Sequence, residues 1–347
     1  MNTLSSLHVT STRGGIPVLC CPVCHAALIE SGSHLACAGC GENYPIVNGI
    51  PRLLVPDMRD ALQASAISEG PRVRTAKSFG FEWTHFSRMY QEWEDNFLAY
   101  MAPHAPQFFQ GKLVLDAGCG SGRHAYYSAR FGAEVWAVDL SDAVETARKN
   151  TESLPVHVIQ ADLLDLPFAE DSFDFVYSIG VLHHLPNPEA GFRNILRYLK
   201  PGGEIQIYLY WKPEGQPVKR VLLALVNSLR HFTTRLPHRV LYALSYPLAA
   251  AAFVGFVWPY RILSRIPGLK SIGERLPMKQ YSNYPFQVCV NDQFDRFSAP
   301  IENRYTEAEV RQWCDRAGLR DIRVKPNFGW VAGGTKPSMP AGDAQRC

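Results

Sequence analysis

Val114-Leu-Asp-Ala-Gly-Cys-Gly-Ser-Gly-Arg123, followed by Val135-Trp-Ala-Val-Asp-Leu140, is the stretch of sequence that decides the fold. Its apolar start is typical of a buried parallel strand. Glycine then recurs at alternate positions, which lets the backbone turn sharply and lets a ligand approach the main chain. A predicted helix and a second apolar strand follow, and that strand ends in Asp139. This order of strand, glycine turn, helix, strand and acid predicts a βαβ unit that binds a nucleoside-like ligand at its strand ends.

The glycine turn is Gly118-x-Gly120-x-Gly122, preceded by Asp116, and it differs from the G-x-G-x-x-G of dinucleotide-binding proteins. It resembles the first motif of the class I S-adenosylmethionine (SAM) methyltransferases. An acidic side chain beside the turn suits a ligand that carries an ammonium group and no pyrophosphate. Asp139 is placed to accept hydrogen bonds from both ribose hydroxyls. On this stretch alone, a tight strand-to-helix turn without a ligand remains the alternative.

Three further motifs follow in the order and spacing of the same family. They are Gln160-Ala-Asp-Leu163, Ser172-Phe-Asp-Phe-Val-Tyr-Ser-Ile-Gly-Val-Leu-His-His-Leu-Pro186 and Lys200-Pro-Gly-Gly203. The resemblance implies that Asp162 accepts a hydrogen bond from the adenine amino group and that the loop after the fourth strand faces the methyl group. It implies cofactor contacts by Asp116, Ala117, Gly118, Cys119, Gly120, Gly122, Asp139, Leu140, Ala161, Asp162, Leu163 and Ser178.

The implied fold is α/β, a Rossmann-like seven-stranded and mostly parallel sheet with helices on both faces, plus a small N-terminal zinc ribbon and a helical insertion. The expected segments are a zinc knuckle at 18–56, a helical linker or lid at 57–109, a methyltransferase core at 110–211 and 281–333, an insertion at 212–280 and a disordered tail at 334–347. In the second part of the core, Thr306 followed by Glu309 predicts a capping box at the start of a helix.

Methyl transfer needs little from a protein beyond alignment of acceptor, methyl carbon and sulfur, and exclusion of water. A base helps when the acceptor is a hydroxyl or a protonated amine. His183 and His184 are candidate catalytic bases, with His183 preferred, but capping and packing of their loop is the favoured alternative. Asp292, Asp295 and Arg296 are candidates either for binding the acceptor or for fastening the insertion.

Two cysteine pairs, Cys21-Pro-Val-Cys24 and Cys37-Ala-Gly-Cys40, lie near the N-terminus. Four thiolates on two tight turns can surround Zn²⁺ tetrahedrally, and a closed Cys₄ site has no open position for catalysis. A redox pair or unpaired buried thiols are the alternatives. The stretch from Cys40 to Leu54 resembles the zinc-knuckle family of methyltransferase activator subunits, whose members stabilise or assist a methyltransferase. The pattern predicts a structural zinc ion held by Cys21, Cys24, Cys37 and Cys40.

Aromatic residues cluster between residues 79 and 100, at roughly helical spacing from Tyr90 on. Such a stripe is typical of a buried helix face. A lid over the cofactor is the alternative, because many members of the resembled family place an N-terminal helix there. The candidate lid residues are Phe81, Trp83 and Tyr90.

The segment 212–280 separates the fifth predicted strand from the late helix of the core. Its second apolar run, 242–258, is about as long as the shortest membrane-spanning helices, but Pro247 interrupts it. Basic residues far outnumber acidic ones there. An apolar, basic segment suits a membrane surface contacted through 219–270, or an amphiphilic acceptor. An apolar helical cap packed on the core, with its arginines in water, is the favoured alternative.

The net charge of +3 is too small to imply a nucleic-acid partner. The start of the chain lacks the apolar core of a secretory signal, so a reducing cytoplasm is expected, where paired cysteines favour zinc over disulfides. Membrane contact through the insertion would place the protein at the cytoplasmic face of a membrane.

Three classes of function follow from these motifs. The leading one is a SAM-dependent methyltransferase directed to an oxygen or nitrogen of a small-molecule or lipid-like acceptor. The alternative is a ribosomal or transfer RNA base methyltransferase whose zinc knuckle contacts RNA, although no Asn-Pro-Pro-Tyr-type motif follows the fourth strand. The third, a catalytically silent SAM-binding scaffold, would show a damaged cofactor site, whereas every acidic and glycine position is present.

Overall fold

The computed structural model describes residues 18–64, 70–90 and 92–338. The strands are β1 (Leu28–Ser31), β2 (His34–Cys37), β3 (Asn43–Val47), β4 (Ile50–Leu53), β5 (Leu113–Ala117), β6 (Glu134–Asp139), β7 (Val156–Ala161), β8 (Phe173–Ile179), β9 (Leu199–Leu209), β10 (Arg320–Pro326) and β11 (Trp330–Thr335). The helices are α1 (Pro56–Gln63), α2 (Pro71–His85), α3 (Trp93–Met101), α4 (Arg123–Arg130), α5 (Ala143–Asn150), α6 (Pro188–Arg197), α7 (Pro217–Thr233), α8 (His238–Ala252), α9 (Trp258–Leu263), α10 (Lys270–Gly273), α11 (Phe286–Ser298) and α12 (Glu307–Arg316). Short 3₁₀ turns lie at Pro106–Phe109, Leu182–His184 and Lys279–Asn283.

The described strands form one sheet in the order β1-β2-β3-β4-β7-β6-β5-β8-β9-β11-β10. Neighbours from β4 to β9 are parallel, and the outer pairs are antiparallel. The expectation of seven strands was wrong for the sheet as a whole, because the sheet has eleven. In the order of the sheet, the seven expected strands are β7, β6, β5, β8, β9, β11 and β10. The other four come from the cysteine-rich segment, whose last strand pairs with the edge that β7 would otherwise leave open.

The cysteine-rich segment therefore belongs to the same sheet and shares its core. Arg52 and Leu53 of β4 pair in register with Gln160 and Ala161 of β7. Leu28, Leu35 and Tyr44 are fully buried in one apolar cluster with residues of β5, β6 and β8. Apolar side chains on both sides of this junction are shielded from water together, which couples the stability of the segment to that of the parallel sheet.

The C-terminal elements of the sheet unit, α12, β10 and β11, match the elements predicted from the sequence. Thr306 and Glu309 form the predicted capping box at the start of α12: the Glu309 N–H donates to Thr306 Oγ1 at 3.2 Å, and the Thr306 N–H donates to Glu309 Oε2 at 2.7 Å. Strands β10 and β11 form the antiparallel pair that closes the sheet. Strand β11 continues to Thr335, beyond residue 334, where a disordered tail was expected. The remainder of that expected tail from residue 339, and the first fifteen residues, lie outside the described residues.

Two compact units are distinguished, one containing the sheet and the other formed by Pro217–Pro300. The second unit contains α7 to α11, and its helices α7 and α8 pack on α11. It runs on to Pro300, whereas the sequence placed the end of the insertion at residue 280. The reason is that α11 buries its apolar side chains, such as Val290 and Phe294, within the helical unit.

The longest apolar helix differs from expectation at Pro247. Helix α8 continues through this proline, through a π-helical turn at Phe253–Val257, and into α9. Proline removes one backbone donor and strains the preceding turn, a local cost that the other hydrogen bonds of a long helix can absorb. The result is a helix from His238 to Leu263, 26 residues with a mean hydropathy of 1.8 in its most apolar stretch. By length and composition it could cross a membrane, and 33% of that stretch is buried in the protein.

Candidate functional site

A cleft lies at the carboxyl ends of β5, β6, β7 and β8, and α2 forms one of its walls. Its lining consists of Arg72, Thr75, Ala76, Phe79, Trp83, Gly118, Cys119, Gly120, Ser121, Arg123, His124, Asp139, Leu140, Asp162, Leu163, Ile179, Gly180, Val181, His184 and Leu185. The carboxyl ends of parallel strands are where α/β sheets bind ligands, because the connecting loops diverge there. The cleft therefore coincides with the site predicted from the glycine motif.

The glycine loop after β5 is shaped by neighbours that approach its backbone closely. Gly118 has a φ of +93°, and a Cβ there would lie 2.4 Å from Val181 Cγ2. Gly120 has a φ of +51°, and its Cβ would lie 2.8 Å from Trp83 Nε1. Side chains at either position would push away the loop after β8 or the wall made by α2. Glycine is thus required here both by the backbone conformation and by the close packing of the walls.

Asp139, at the end of β6, organises this loop. Its Oδ2 accepts from the Gly120 N–H at 2.9 Å, and its Oδ1 accepts from the Ser141 N–H at 2.9 Å and the Ser141 hydroxyl at 2.7 Å. Burial raises the pKa of this carboxyl, and the donors from Ser141 and Gly120 oppose that shift. The carboxylate lines the cleft while it holds the loop, so its predicted contact with a ribose is compatible with its position.

Asp116 lies beneath the loop rather than in the wall of the cleft. It is 1% exposed, and its Oδ2 has no hydrogen-bond partner among the described residues. Burial raises the pKa of this carboxyl to about 8, although a hydrogen bond with Tyr177 opposes the shift. A buried carboxyl with one unsatisfied oxygen favours its neutral form, or a cation placed beside it. The predicted contact with an ammonium group stays a prediction.

Asp162, which follows β7, lines the cleft and is 2% exposed. Its Oδ1 accepts from the Leu164 N–H at 2.9 Å, and its Oδ2 forms an ion pair with Arg72 of α2. The sequence analysis did not identify Arg72. Its position beside Asp162 depends on how α2 packs, which no local pattern around Asp162 reveals.

The wall made by α2 has a helical period that could have been recognised. Arg72, Thr75, Ala76, Phe79 and Trp83 lie three or four residues apart and form one face, which lines the cleft.

Trp83 is therefore in the position expected for a lid residue, but the other two candidates are not. Phe81 stacks on His85 with ring centroids 3.8 Å apart, and Tyr90 contacts Trp93 with ring centroids 5.9 Å apart. The guanidinium of Arg123 lies over the rings of Trp83, at 5.3 Å, and Trp93, at 4.7 Å. These cation–π contacts connect the start of α4 to α2 and to α3.

The two histidines after β8 are in different surroundings. His183 is fully buried, stacks on Tyr210 with ring centroids 3.9 Å apart, and does not line the cleft. His184 lines the cleft, and its Nδ1 is 2.6 Å from the Ile301 carbonyl oxygen. Since a carbonyl can only accept, the Nδ1 of His184 carries the proton, and Nε2 is the basic nitrogen of the neutral ring. The structure therefore favours His184 over the preferred His183 as a candidate base.

Most of the predicted cofactor residues line the cleft: Gly118, Cys119, Gly120, Asp139, Leu140, Asp162 and Leu163. Others do not: Asp116, Ala117, Gly122, Ala161 and Ser178. Ser178 illustrates why, because its hydroxyl donates to the Ala117 carbonyl at 2.7 Å and ties β8 to β5. Lining residues that the sequence analysis did not name, apart from those of α2, are Ser121, Arg123, His124, Ile179, Gly180, Val181 and Leu185. All of them but His124 lie within the quoted motifs, and His124 directly follows Arg123.

The candidate acceptor residues Asp292, Asp295 and Arg296 lie on α11 in the second unit. Asp292 accepts a hydrogen bond from the Tyr281 hydroxyl at 2.6 Å, inside that unit. This contact joins two residues of the same unit, so both alternatives, acceptor binding and fastening of the insertion to the core, stay predictions.

The sulfur atoms of Cys21, Cys24, Cys37 and Cys40 lie within 4.8 Å of one another. Two of the separations are 3.7 Å, between Cys21 and Cys40, and 3.3 Å, between Cys24 and Cys37. A tetrahedral zinc ion with bonds of ~2.3 Å to sulfur requires sulfur–sulfur separations of roughly 3.8 Å. The donor set and its size therefore fit Zn²⁺.

Backbone donors around Cys37 favour its thiolate, whereas at Cys40 the Glu42 N–H opposes but does not outweigh desolvation and the neighbouring thiols, which raise the pKa. The N–H groups of Cys40 and Gly39 both lie 3.4 Å from Cys37 Sγ, and hydrogen bonding from Cys40 above all lowers the pKa of the Cys37 thiol to about 6. Tyr44 lies with its hydroxyl 3.1 Å from Cys21 Sγ, and burial raises the pKa of that phenol, which keeps it a donor. Such donors are typical of the surroundings of a metal–thiolate site.

Comparison with known proteins identifies the domain that contains the cleft. Residues 115–207 match a family model described as a methyltransferase domain. An uncharacterized protein of Synechococcus is 32% identical over 262 residues, which are 72% of this chain and 55% of that protein. The tRNA U34 carboxymethyltransferase of Hydrogenovibrio crunogenus is 36% identical over 33% of this chain and 37% of its own length. The sterol 24-C-methyltransferase of Saccharomyces cerevisiae is 35% identical over 36% of this chain and 35% of its own length.

The chain thus spans between about a third and somewhat over a half of the length of these three relatives. The matched part contains the glycine loop and the ends of β6, β7 and β8. The chain carries a SAM-dependent methyltransferase domain, and residues 115–207 are the part that the family model covers.

Proposed function

We propose that the protein transfers a methyl group from SAM to an oxygen or nitrogen atom of a small-molecule or lipid-like acceptor. The observation that carries the proposal is the cleft: one sheet edge brings together the glycine loop, Asp139, Asp162 and His184 beside apolar walls. The methyltransferase domain match over residues 115–207 supports the same chemistry.

The residues of the cleft fit SAM. Gly118 and Gly120 line the cleft between Val181 and Trp83, and Asp139 would accept from the ribose hydroxyls. Asp162 Oδ2, which pairs with Arg72, would accept a hydrogen bond from the adenine amino group either beside this ion pair or in its place. The Oδ2 of buried Asp116 has no partner among the described residues and lies below the loop. It could accept a hydrogen bond from the ammonium group of SAM, and an ionised carboxylate would also attract its charge. SAM supplies an electrophilic methyl group on a sulfonium sulfur.

The residues of the chain would orient the acceptor, exclude water from it and accept its proton. Phe79, Val181 and Leu185 line the cleft with apolar surface, and the walls exclude water around a bound acceptor. His184 lies among them, in edge-to-face contact with Phe79 at 4.8 Å between ring centroids. Its Nε2 would take a proton from an acceptor hydroxyl or ammonium group, while the Ile301 carbonyl holds Nδ1–H in place.

The class of acceptor is inferred from the cleft walls and from the relatives. Similar proteins are named for methylating a sterol and for modifying tRNA, so the domain match alone leaves both open. The apolar side chains that share the cleft with His184 favour an acceptor with apolar surface. An RNA base is the competing acceptor.

The test uses the full chain with SAM labelled in its methyl group. The protein is offered separately a lipid extract, a polar metabolite extract and total RNA. We expect label in the lipid or metabolite fraction, and reduced transfer by Asp139→Asn at limiting SAM, because this variant removes the carboxylate assigned to the ribose. Label found in RNA and released by nuclease would replace the proposed acceptor class. Absence of transfer to all three, despite SAM binding in calorimetry, would contradict the proposed activity.

We also propose that the four-cysteine cluster holds a structural zinc ion and that the segment stabilises the domain from within the same chain. The donor geometry and the pairing of β4 with β7 support this inference. We expect stoichiometric zinc by elemental analysis, lost in Cys40→Ser together with a lower unfolding temperature. Cys20→Ser is the matched control, because Cys20 adjoins the cluster but lies outside it. Zinc retained by Cys40→Ser, or lost equally in both variants, would contradict the assignment.

A further inference from the structure

Helix α7 carries a row of exposed apolar side chains. Its members lie three or four residues apart and are between 36% and 73% exposed: Val221, Leu225, Leu229, Phe232 and, just after the helix, Leu236. That spacing places them on one side of the helix. Isolated exposed apolar residues are ordinary on soluble proteins, but a continuous row marks an interaction surface.

A second row lies on the long helix formed by α8, the π-helical turn and α9. Val240, Leu244, Leu248, Val254, Trp258 and Ile262 are each between 42% and 60% exposed, again three to six residues apart on one side. The opposite side of the same helix is buried and is formed by Leu241, Ser245, Ala249, Ala252 and Val257. The helix thus has two apolar sides, and packing within the protein covers just one of them.

The second unit also differs in charge from the remainder of the chain. Pro217–Pro300 contains eleven lysines and arginines against three acidic residues, a formal charge of +8. The rest of the chain has twenty-four basic and twenty-nine acidic residues, a formal charge of −5. Exposed arginines flank the apolar rows along the chain: Arg220, Arg235, Arg239 and Arg265. A surface that covers the rows must therefore accept apolar side chains and positive charge together.

We infer that the second unit binds the surface of an anionic lipid bilayer, with side chains of the two rows inserted at the headgroup boundary and the arginines on lipid phosphates. An anionic bilayer offers apolar chains beneath negative groups, which is the combination that the rows and their arginines need. A second copy of the chain would bring two units of charge +8 together, which opposes such a dimer.

The helix lies on the bilayer in this proposal and does not span it. Its buried side packs on α11, which carries Asn291, Asp292, Asp295 and Arg296. Spanning would carry these polar groups into hydrocarbon, at a high cost for each charge. Insertion of the exposed rows alone leaves α11 and its hydrogen bond from Tyr281 to Asp292 in place.

The experiment measures binding of the full chain to sedimented vesicles. One set of vesicles is phosphatidylcholine alone, and the other contains phosphatidylglycerol in addition. We expect binding to the anionic set, weakened by high salt. The double variants Leu225→Gln with Leu229→Gln, and Leu244→Gln with Leu248→Gln, should each reduce binding by about tenfold or more, because they remove apolar insertion from one row.

Charge is tested separately from apolar insertion. The double variant Arg235→Glu with Arg239→Glu should reduce binding to anionic vesicles by about tenfold or more and remove most of the salt dependence. The matched controls lie in the first unit: Ile29→Gln with Phe328→Gln replaces exposed apolar residues, and Arg320→Glu with Lys325→Glu reverses exposed charges. These controls should bind like the wild type, and unfolding curves check that every variant is folded.

The proposal is independent of methyl transfer, because the readout is sedimentation with vesicles. Equal binding to neutral and anionic vesicles, or equal loss in the controls and the row variants, would overturn it. Light scattering measures whether the chain forms a dimer in solution. A dimer that the row variants dissociate would show that a second copy of the chain covers the rows, and it would overturn the proposal.

Discussion

Replacement of Asp116 by asparagine should change how the stability of the protein depends on pH. The carboxyl is 1% exposed, its Oδ2 has no partner among the described residues, and burial raises its pKa from 3.8 to about 8. Between these two values the folded protein keeps the proton on Asp116, whereas the unfolded chain loses it. The folded state then binds more protons than the unfolded state, so the free energy of unfolding falls as the pH rises through this window.

The magnitude follows from the proton count. One proton of difference corresponds to a slope of about 1.4 kcal/mol per pH unit, so the wild type should lose about 2.7 kcal/mol between about pH 5 and about pH 7 from this group alone. The amide of the Asp116→Asn variant would carry no such proton. The difference between the unfolding free energies of Asp116→Asn and wild type should therefore shift by that amount in favour of the variant.

The assay is urea unfolding without SAM, followed by tryptophan fluorescence, at several pH values in that range. The quantity compared is the slope of unfolding free energy against pH. If the amide changes stability by the same amount at every pH, this slope is unaffected. Asp315→Asn, which replaces an exposed carboxyl on α12, is the control and should run parallel to the wild type. Parallel curves for Asp116→Asn as well would refute the reasoning that burial keeps this carboxyl protonated.

Three other predictions concern the loop, the ribose contact and the metal. Gly118→Ala should destabilise by about 3 kcal/mol or more in urea, because it adds a clash to a positive φ, whereas Gly111→Ala, with open space around its φ of +70°, should cost about 1 kcal/mol. Equal costs would contradict the packing argument. Asp139→Asn should weaken SAM binding in calorimetry by about tenfold or more, and unchanged affinity would remove the ribose assignment. Tyr44→Phe should lower zinc affinity by about tenfold in a chelator competition, and no change would show that its hydroxyl does not support Cys21.

The local elements around the cleft could be predicted because their signals are short in sequence. The apolar runs of β5 and β6, the glycines between them and the acid at the end of β6 lie within about thirty residues and need no distant partner to be recognised. The same holds for the capping box at Thr306 and for the four cysteines, whose spacing brings their sulfur atoms together.

Contacts between distant segments could not be predicted in the same way. Arg72 reaches Asp162 across ninety positions of sequence, and no pattern near either residue indicates the ion pair. His183 and His184 are adjacent, yet the 3₁₀ turn at Leu182–His184 sends one ring into the core against Tyr210 and the other into the cleft. Adjacent residues in such a turn point in different directions, and the sequence does not say which direction faces the ligand.

Residue type and spacing alone were enough to define the strand order of the βαβ unit, the cysteine cluster and the chemistry of the candidate cofactor residues, because periodicity and turns are local properties. Long-range packing decided that β4 extends the sheet to eleven strands, that α2 walls the cleft, that α8 continues through Pro247, and that the apolar rows of the second unit stay exposed. Each of these depends on which surface an element finds to pack against. That choice is made by burial summed over residues far apart in the chain.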